Sequence, residues 1–178
     1  MIICKNQKEM RTFIAGIIDK NQLNQLISLR DAIAQGSAAS RPVPEQNLHL
    51  TLEFLGEITE GQARKAEDIM DSLSFTPVPF TLDRTGCFER QDGSLVWAGS
   101  SRAPELCALQ RRLHKALEEE GFKLDRRRFM PHITLLRKAV APPLPRIATP
   151  VPGKVIRLVL FESRLRREGA EYIELHSV

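Results

Sequence analysis

The chain has 178 residues, 42% hydrophobic and 27% charged, with a formal net charge of +4. These values exclude a disordered, collagenous or coiled-coil protein, and a chain this long can bury enough surface to fold without a disulfide or metal. No apolar run approaches the roughly 20 residues that span a bilayer, and Met1-Ile2-Ile3-Cys4-Lys5 is too short for a signal peptide; the expectation is a cytoplasmic protein with no membrane partner.

Residues 1–9 are polar and unpatterned and read as an extension. A strand starts near Met10 and carries Phe13, Ile14, Ala15, Ile17 and Ile18. Asp19 can cap a helix whose Leu23, Leu26, Ile27, Ile33 and Ala34 recur at helical spacing. Gly36 suits its left-handed end. Arg41-Pro42-Val43-Pro44 reads as a rigid connector, and a strand follows from Asn47 to Leu55, closed by Gly56. Thr59-x-x-Gln62 is a capping box. Its helix turns Ala63, Ala66, Ile69, Met70 and Leu73 inward, and Pro77 and Pro79 lead into a strand at Phe80 to Arg84.

The second half repeats this order. Gly93-Ser94 precedes a strand at Leu95 to Ala98. Ser101 and Pro104 open a helix with Leu106, Leu109, Leu113 and Leu117 on one face, and Gly121 closes it. Arg126-Arg127-Arg128 is a basic connector to a strand from Phe129 to Leu136. The proline-rich stretch from Ala141 to Gly153 reads as a loop. Val155 to Phe161 is a strand, Arg164 to Gly169 a polar hairpin turn, and Tyr172 to Leu175 the last strand.

Two segments match closely: Asn47-Leu48-His49-Leu50-Thr51-Leu52 and Met130-Pro131-His132-Ile133-Thr134-Leu135. The histidines are 83 positions apart, and adding 83 to Phe13 lands on Val96, in the first strand of the second half. The matching order predicts an α+β protein made of a duplicated lobe, with pseudo-repeats at about 10–85 and 93–178 of a single domain, 10–178. In a strand, residues i and i+2 share a face. His49 therefore sits beside Thr51 and His132 beside Thr134, while Leu48, Leu50, Leu52 and Phe54 point to a core.

A lone histidine beside a threonine on a strand is more often structural; the repetition is what points to a site. Two imidazoles near their ordinary pKa of ~6.5 can hold one neutral and one protonated form near neutral pH. One takes a proton from an attacking water and the other gives a proton to the departing oxygen. Two hydroxyls can donate to the free oxygens of a phosphate held between them. No Asp, Glu or Cys cluster accompanies the histidines at ligand spacing, so the chemistry requires no metal or cofactor. Cys4, Cys87 and Cys107 lack C-x-x-C spacing and read as reduced thiols. Residues 123–178 hold 12 Lys/Arg against 5 Asp/Glu, a bias that suits an anionic partner.

The paired motifs resemble the two-histidine (2H) phosphoesterase superfamily, and within it the RNA 2′,3′-cyclic phosphodiesterase branch, historically called bacterial 2′-5′ RNA ligase. The contexts Asn47 to Gly56 and Pro131 to Arg137 carry the resemblance, with the opening Met10-Arg11-Thr12-Phe13-Ile14-Ala15. It implies a bilobal α+β fold in which two antiparallel sheets line a central cleft, with helices outside. It also implies hydrolysis of a terminal ribose 2′,3′-cyclic phosphate to a 2′-phosphate, and 2′-5′ joining in reverse. By that analogy His49 is the proton donor, His132 the proton acceptor, and Thr51 and Thr134 hold the phosphate. Arg137 is a phosphate contact in the resemblance, although strict alternation puts it on the face opposite His132 unless the strand bulges.

The remaining residues are weaker. Arg127, with Arg126 and Arg128, could follow an RNA backbone or simply be solvated. Arg164, Arg166 and Arg167 read as a solvated turn. Trp97 and Phe88 could stack on a base, but a lone strand aromatic is more often core. Glu53 reads as a rim residue on the His49 face, and His114 and His176 as structural. The expected partner is RNA with a 2′,3′-cyclic phosphate end or a related nucleotide, acted on by a monomer. Three alternatives stay open: a binding module without turnover, action on another cyclic or 2′-5′-linked nucleotide, or a structural duplicated α+β protein.

Overall fold

The computed structural model describes residues 9–167 and 169–178. Of the expected extension at 1–9, residues 1–8 lie outside the described residues, and Glu9 opens the first strand. Elements follow as β1 (Glu9–Ile18), α1 (Lys20–Gly36), β2 (Ala39–Pro42), a 3-10 turn (Glu45–Asn47), β3 (Leu50–Thr59), α2 (Glu60–Ser72), β4 (Val78–Leu82) and β5 (Arg84–Phe88). The chain continues as β6 (Ser94–Gly99), α3 (Pro104–Glu119), β7 (His132–Val140), β8 (Val151–Arg166) and β9 (Gly169–Ser177).

Local chemistry places the helices. The Asp19 carboxylate accepts the Gln22 amide at the start of α1, and Thr59 and Gln62 form the reciprocal capping box of α2. Two helix ends differ from expectation. Gly36 is the last residue of α1, which Ser37 caps in an extended conformation. α3 starts at Pro104 behind Ala103 without a side-chain cap, because Ser101 is hydrogen-bonded to Asp83 instead. Leu26 and Ile33 of α1, Ala66 and Met70 of α2, and Leu106, Leu109, Leu113 and Leu117 of α3 enter one core with Ile14, Leu50, Leu52, Ile133 and Leu135.

All strand pairs are antiparallel, and the main path runs β4-β8-β1-β3-β7-β6-β5, with β9 on β8 and β2 on β7. The two expected sheets are thus joined into one. The joint is a single described pair, Leu50 of β3 opposite Ile133 of β7, and both side chains are fully buried. The wings also exchange strands: β8 and β9 extend the wing of β1 and β3, while β2 lies on β7. The expected connector at Arg41-Pro42 is therefore edge strand, where proline is tolerated. β8 likewise starts inside the expected proline loop, pairing with β4 through Pro152 and Gly153. The paired strands continue into the expected turn as far as Arg166 and Gly169, and the expected turn residue 168 lies outside the described residues.

A bulge interrupts each motif strand just after its threonine. Ala15 and Ile14 of β1 face Thr51 and Glu53, leaving Leu52 as the extra residue. Trp97 and Val96 of β6 face Thr134 and Leu136, leaving Leu135 extra. A bulge puts two successive side chains on one side and reverses the alternation beyond it. Leu52 and Glu53 are accordingly both buried, as are Leu135 and Leu136. Glu53 is therefore no rim residue, and Phe54, expected in the core, is 61% exposed. Gly56 does not end β3; it continues the strand at φ +75°, a conformation that favours glycine.

Glu53 occupies the place that Leu136 fills in β7. Its carboxylate accepts from Gln110 Nε2 and His114 Nδ1 on α3. Burial raises its pKa above the usual value near 4.5, and those two hydrogen bonds pull it back only in part. A raised folded-state value means stability is complete below the unfolded value and is lost as pH rises through the folded one. Glu53→Gln keeps the shape and has no proton to lose. The melting temperature of the variant minus that of the wild type should therefore increase between pH 4 and pH 8; a difference that is flat or falls with pH contradicts this reading.

Candidate active site

The Leu50–Ile133 pair also sets the site. In an antiparallel register the residues flanking that pair oppose one another, which sets His49 towards Thr134 and Thr51 towards His132 on the face away from the core. All four are half-buried. The two imidazoles sense each other electrostatically, and His49 also senses Arg137.

Each ring is held the same way. His49 Nδ1 lies 2.8 Å from the Asn47 carbonyl oxygen, and His132 Nδ1 lies 2.7 Å from that of Met130. A carbonyl only accepts, so Nδ1 carries hydrogen in both rings and Nε2 is left to do chemistry. His49 Nε2 is 3.1 Å from Thr51 Oγ1, which can donate to it. Aromatic rings fix the remaining freedom. Phe13 stacks on His49 at 5.0 Å and Tyr172 meets it edge-on at 5.3 Å. Phe88 and Trp97 meet His132 edge-on at 5.5 and 6.1 Å.

Phe13 and Trp97 are buried but stand outside the main core cluster; they form the floor of the opposite face. By register Trp97 is the counterpart of Ala15, since each faces its motif threonine, and Val96, in the core, is the counterpart of Ile14; Phe13 thus matches Leu95, one position before the expected Val96. Trp97 packs flat over Gly86, where an added Cβ would sit 2.3 Å from the indole, so it belongs to the floor and is not free to stack on a base. Phe88 is half-buried beside His132, and Phe54 is the exposed ring that the sequence pattern does not reveal. A bulge in β3 is what turns Phe54 outward, and alternation alone carries no sign of it.

The same device answers the question raised by Arg137. The bulge at Leu135 turns it to the imidazole face, and it is exposed. The structure does not bring Arg127 to the two imidazoles. Its side chain is 89% exposed and its guanidinium is bound to Asp125, at a surface hollow shared with Gln110, Arg111 and His114 of α3. His114 and His176 are engaged elsewhere, by Glu53 and Asp71 respectively. Among the described residues no three His, Cys, Asp or Glu side chains group to hold a metal ion, and no helix is long and apolar enough to cross a membrane.

Burial is the largest influence on His49. It lowers the pKa to about 4, with smaller downward contributions from Arg137 and His132 against the opposing Asn47 hydrogen bond. At pH 7 the ring is therefore neutral, and an anion placed beside it would favour its protonated form.

A sequence model of the 2′-5′ RNA ligase superfamily matches residues 20–166. An Aeropyrum pernix protein named RNA 2′,3′-cyclic phosphodiesterase is 30% identical over 167 residues, which covers 88% of this chain and 95% of that one. The Escherichia coli K12 protein of the same name is 32% identical over 143 residues, 77% of this chain and 78% of that one. Among solved structures, a Thermus thermophilus protein superposes with a TM-score of 0.81 at 28% identity, covering 94% of this chain and 96% of that one. Escherichia coli LigT in complex with 3′-AMP gives a TM-score of 0.77 at 28% identity, covering 96% of this chain and 98% of that one.

Proton NMR of the imidazole signals tests the electrostatics. The His49 resonance should titrate near pH 4, and saturating inorganic phosphate should move its midpoint upward. A midpoint near 6.5 that phosphate leaves in place would contradict the assigned burial and charge balance.

Proposed function

This chain belongs to the 2′-5′ RNA ligase superfamily, and from that membership and the imidazole geometry we propose that it hydrolyses RNA 2′,3′-cyclic phosphate ends to 2′-phosphates. The observation that carries the reading is the matched pair of rings. Each is tied by Nδ1 to a backbone carbonyl two residues upstream, next to the residue that forms the Leu50–Ile133 joint.

The cyclic phosphate sits between the rings. Thr51 and Thr134 donate hydroxyl hydrogens to its non-bridging oxygens, and Arg137 places positive charge beside them. His132, its Nδ1 tied to the Met130 carbonyl, accepts a proton at Nε2 as the water oxygen bonds to phosphorus. The P–O3′ bond breaks, and His49 gives its Nε2 proton to O3′. The products are a 2′-phosphate and a free 3′-hydroxyl. The anionic substrate offsets Arg137 and raises the pKa of His49, which supplies the protonated ring that a donor needs. With a 5′-hydroxyl in place of water, the reverse reaction would join RNA through a 2′-5′ bond using the same groups. No step calls for a metal or cofactor.

The paired motifs on matched, bulged strands support reading the domain at 10–178 as a duplication. The thiols of Cys87 and Cys107 are free and suit a reducing compartment, so we place a monomeric enzyme with its RNA in the cytoplasm.

Incubation with an oligonucleotide ending in 2′,3′-cyclic phosphate should yield the 2′-phosphate, in EDTA as well, with a bell-shaped pH profile for kcat. His49→Ala and His132→Ala should each lower kcat by at least about 10²-fold while circular dichroism stays native. Near-normal turnover in either variant rejects the acid and base roles of the two histidines, and tight binding without any turnover favours a binding module.

A further inference from the structure

Arg41 and Arg137 are direct partners in the β2–β7 ladder. Partners across an antiparallel ladder project from the same face side by side. Two like charges in that relation repel, which costs stability. Both arginines are exposed, and among the described residues neither guanidinium takes part in an ion pair that would relieve the repulsion. An unrelieved cation pair at the edge of a phosphate site is a place built for anions.

The two heads are not aimed at one point. Arg137 is close enough to the imidazoles for its charge to act on His49. Arg41 turns towards the β8–β9 hairpin tip, where a Cβ added to Gly169 would lie 2.7 Å from its Nη2. Asn47 fixes that tip, donating from Nδ2 to the Ala170 carbonyl at 3.0 Å. The Arg41 guanidinium thus lies over the hairpin tip at Gly169, while the Arg137 charge reaches His49.

We propose that Arg41 forms a second phosphate subsite, holding the phosphate that links the terminal nucleotide to its 5′ neighbour. The substrate class is then an RNA chain of two or more nucleotides rather than a cyclic mononucleotide. This rests on the phosphodiesterase reading above and narrows its substrate. Glycine at 169 has a role in it, since a side chain there would displace the guanidinium from the rim.

The test compares two substrates: adenosine 2′,3′-cyclic phosphate, and the ApA dinucleotide carrying the same cyclic end. Wild type should show the higher kcat/KM on the dinucleotide. Arg41→Ala should lose about 10-fold or more on the dinucleotide, the scale of one charge-assisted hydrogen bond. That loss should appear chiefly in KM and should exceed the loss on the mononucleotide by about the same factor. The log–log salt slope for dinucleotide KM should also fall by about one phosphate contact. Equal losses on both substrates, or no loss on either, overturn the subsite while leaving hydrolysis standing. Failure of wild type to turn over either substrate overturns the underlying reading and the subsite with it.

Discussion

The site depends on one contact between the wings. Leu50 and Ile133 pair across the joint of β3 and β7, and both are fully buried. In each motif the apolar residue sits between the histidine and the threonine. Burying it from both sides of the joint forces the flanking side chains onto the opposite face together. The core thus does the positioning: Leu50 and Ile133 cannot be packed against α1, α2 and α3 without setting two imidazoles and two hydroxyls on a common floor.

Two bulges then make a near-symmetric frame chemically unequal. Each reverses the strand after its threonine. In β7 the reversal buries Leu136 and exposes Arg137; in β3 it buries Glu53 and exposes Phe54. One wing therefore presents a cation, and the other presents aromatic surface. The aromatic wing has Phe13, Phe161 and Tyr172 packed around His49. Burial there lowers the basicity of His49, so its protonation answers to bound negative charge. Glu53, buried at the matching place, ties β3 to α3 through Gln110 and His114.

Much of this is legible in the residues. The capping box at Thr59 and Gln62, the leucine face of α3 and the alternation in the two motifs are local patterns, and each forms as its chemistry dictates. What escapes a reading of the sequence is set by contacts distant along the chain. β2 holds only four residues and ends in Pro42, so it has no strand pattern of its own; it exists because β7 offers an edge. β5 is hidden for the same reason, being paired through Arg84 to Phe88 with β6. The bulges escape because alternation assumes an unbroken ladder, so it assigns Phe54 and Glu53 to the wrong faces and leaves Arg137 undecided. The exchange of β8 and β9 into the other wing also leaves no trace in a reading that takes the halves in order.

The most direct measurement is a crystal structure with uridine vanadate, whose five-coordinate centre mimics phosphorus under attack. His49 Nε2 and His132 Nε2 should lie on opposite sides of one vanadium, each about 2.6–3.2 Å from an apical oxygen. The Thr51 and Thr134 hydroxyls should reach its equatorial oxygens. Vanadate bound to one histidine alone, or outside the joint of β3 and β7, would contradict a shared two-histidine site.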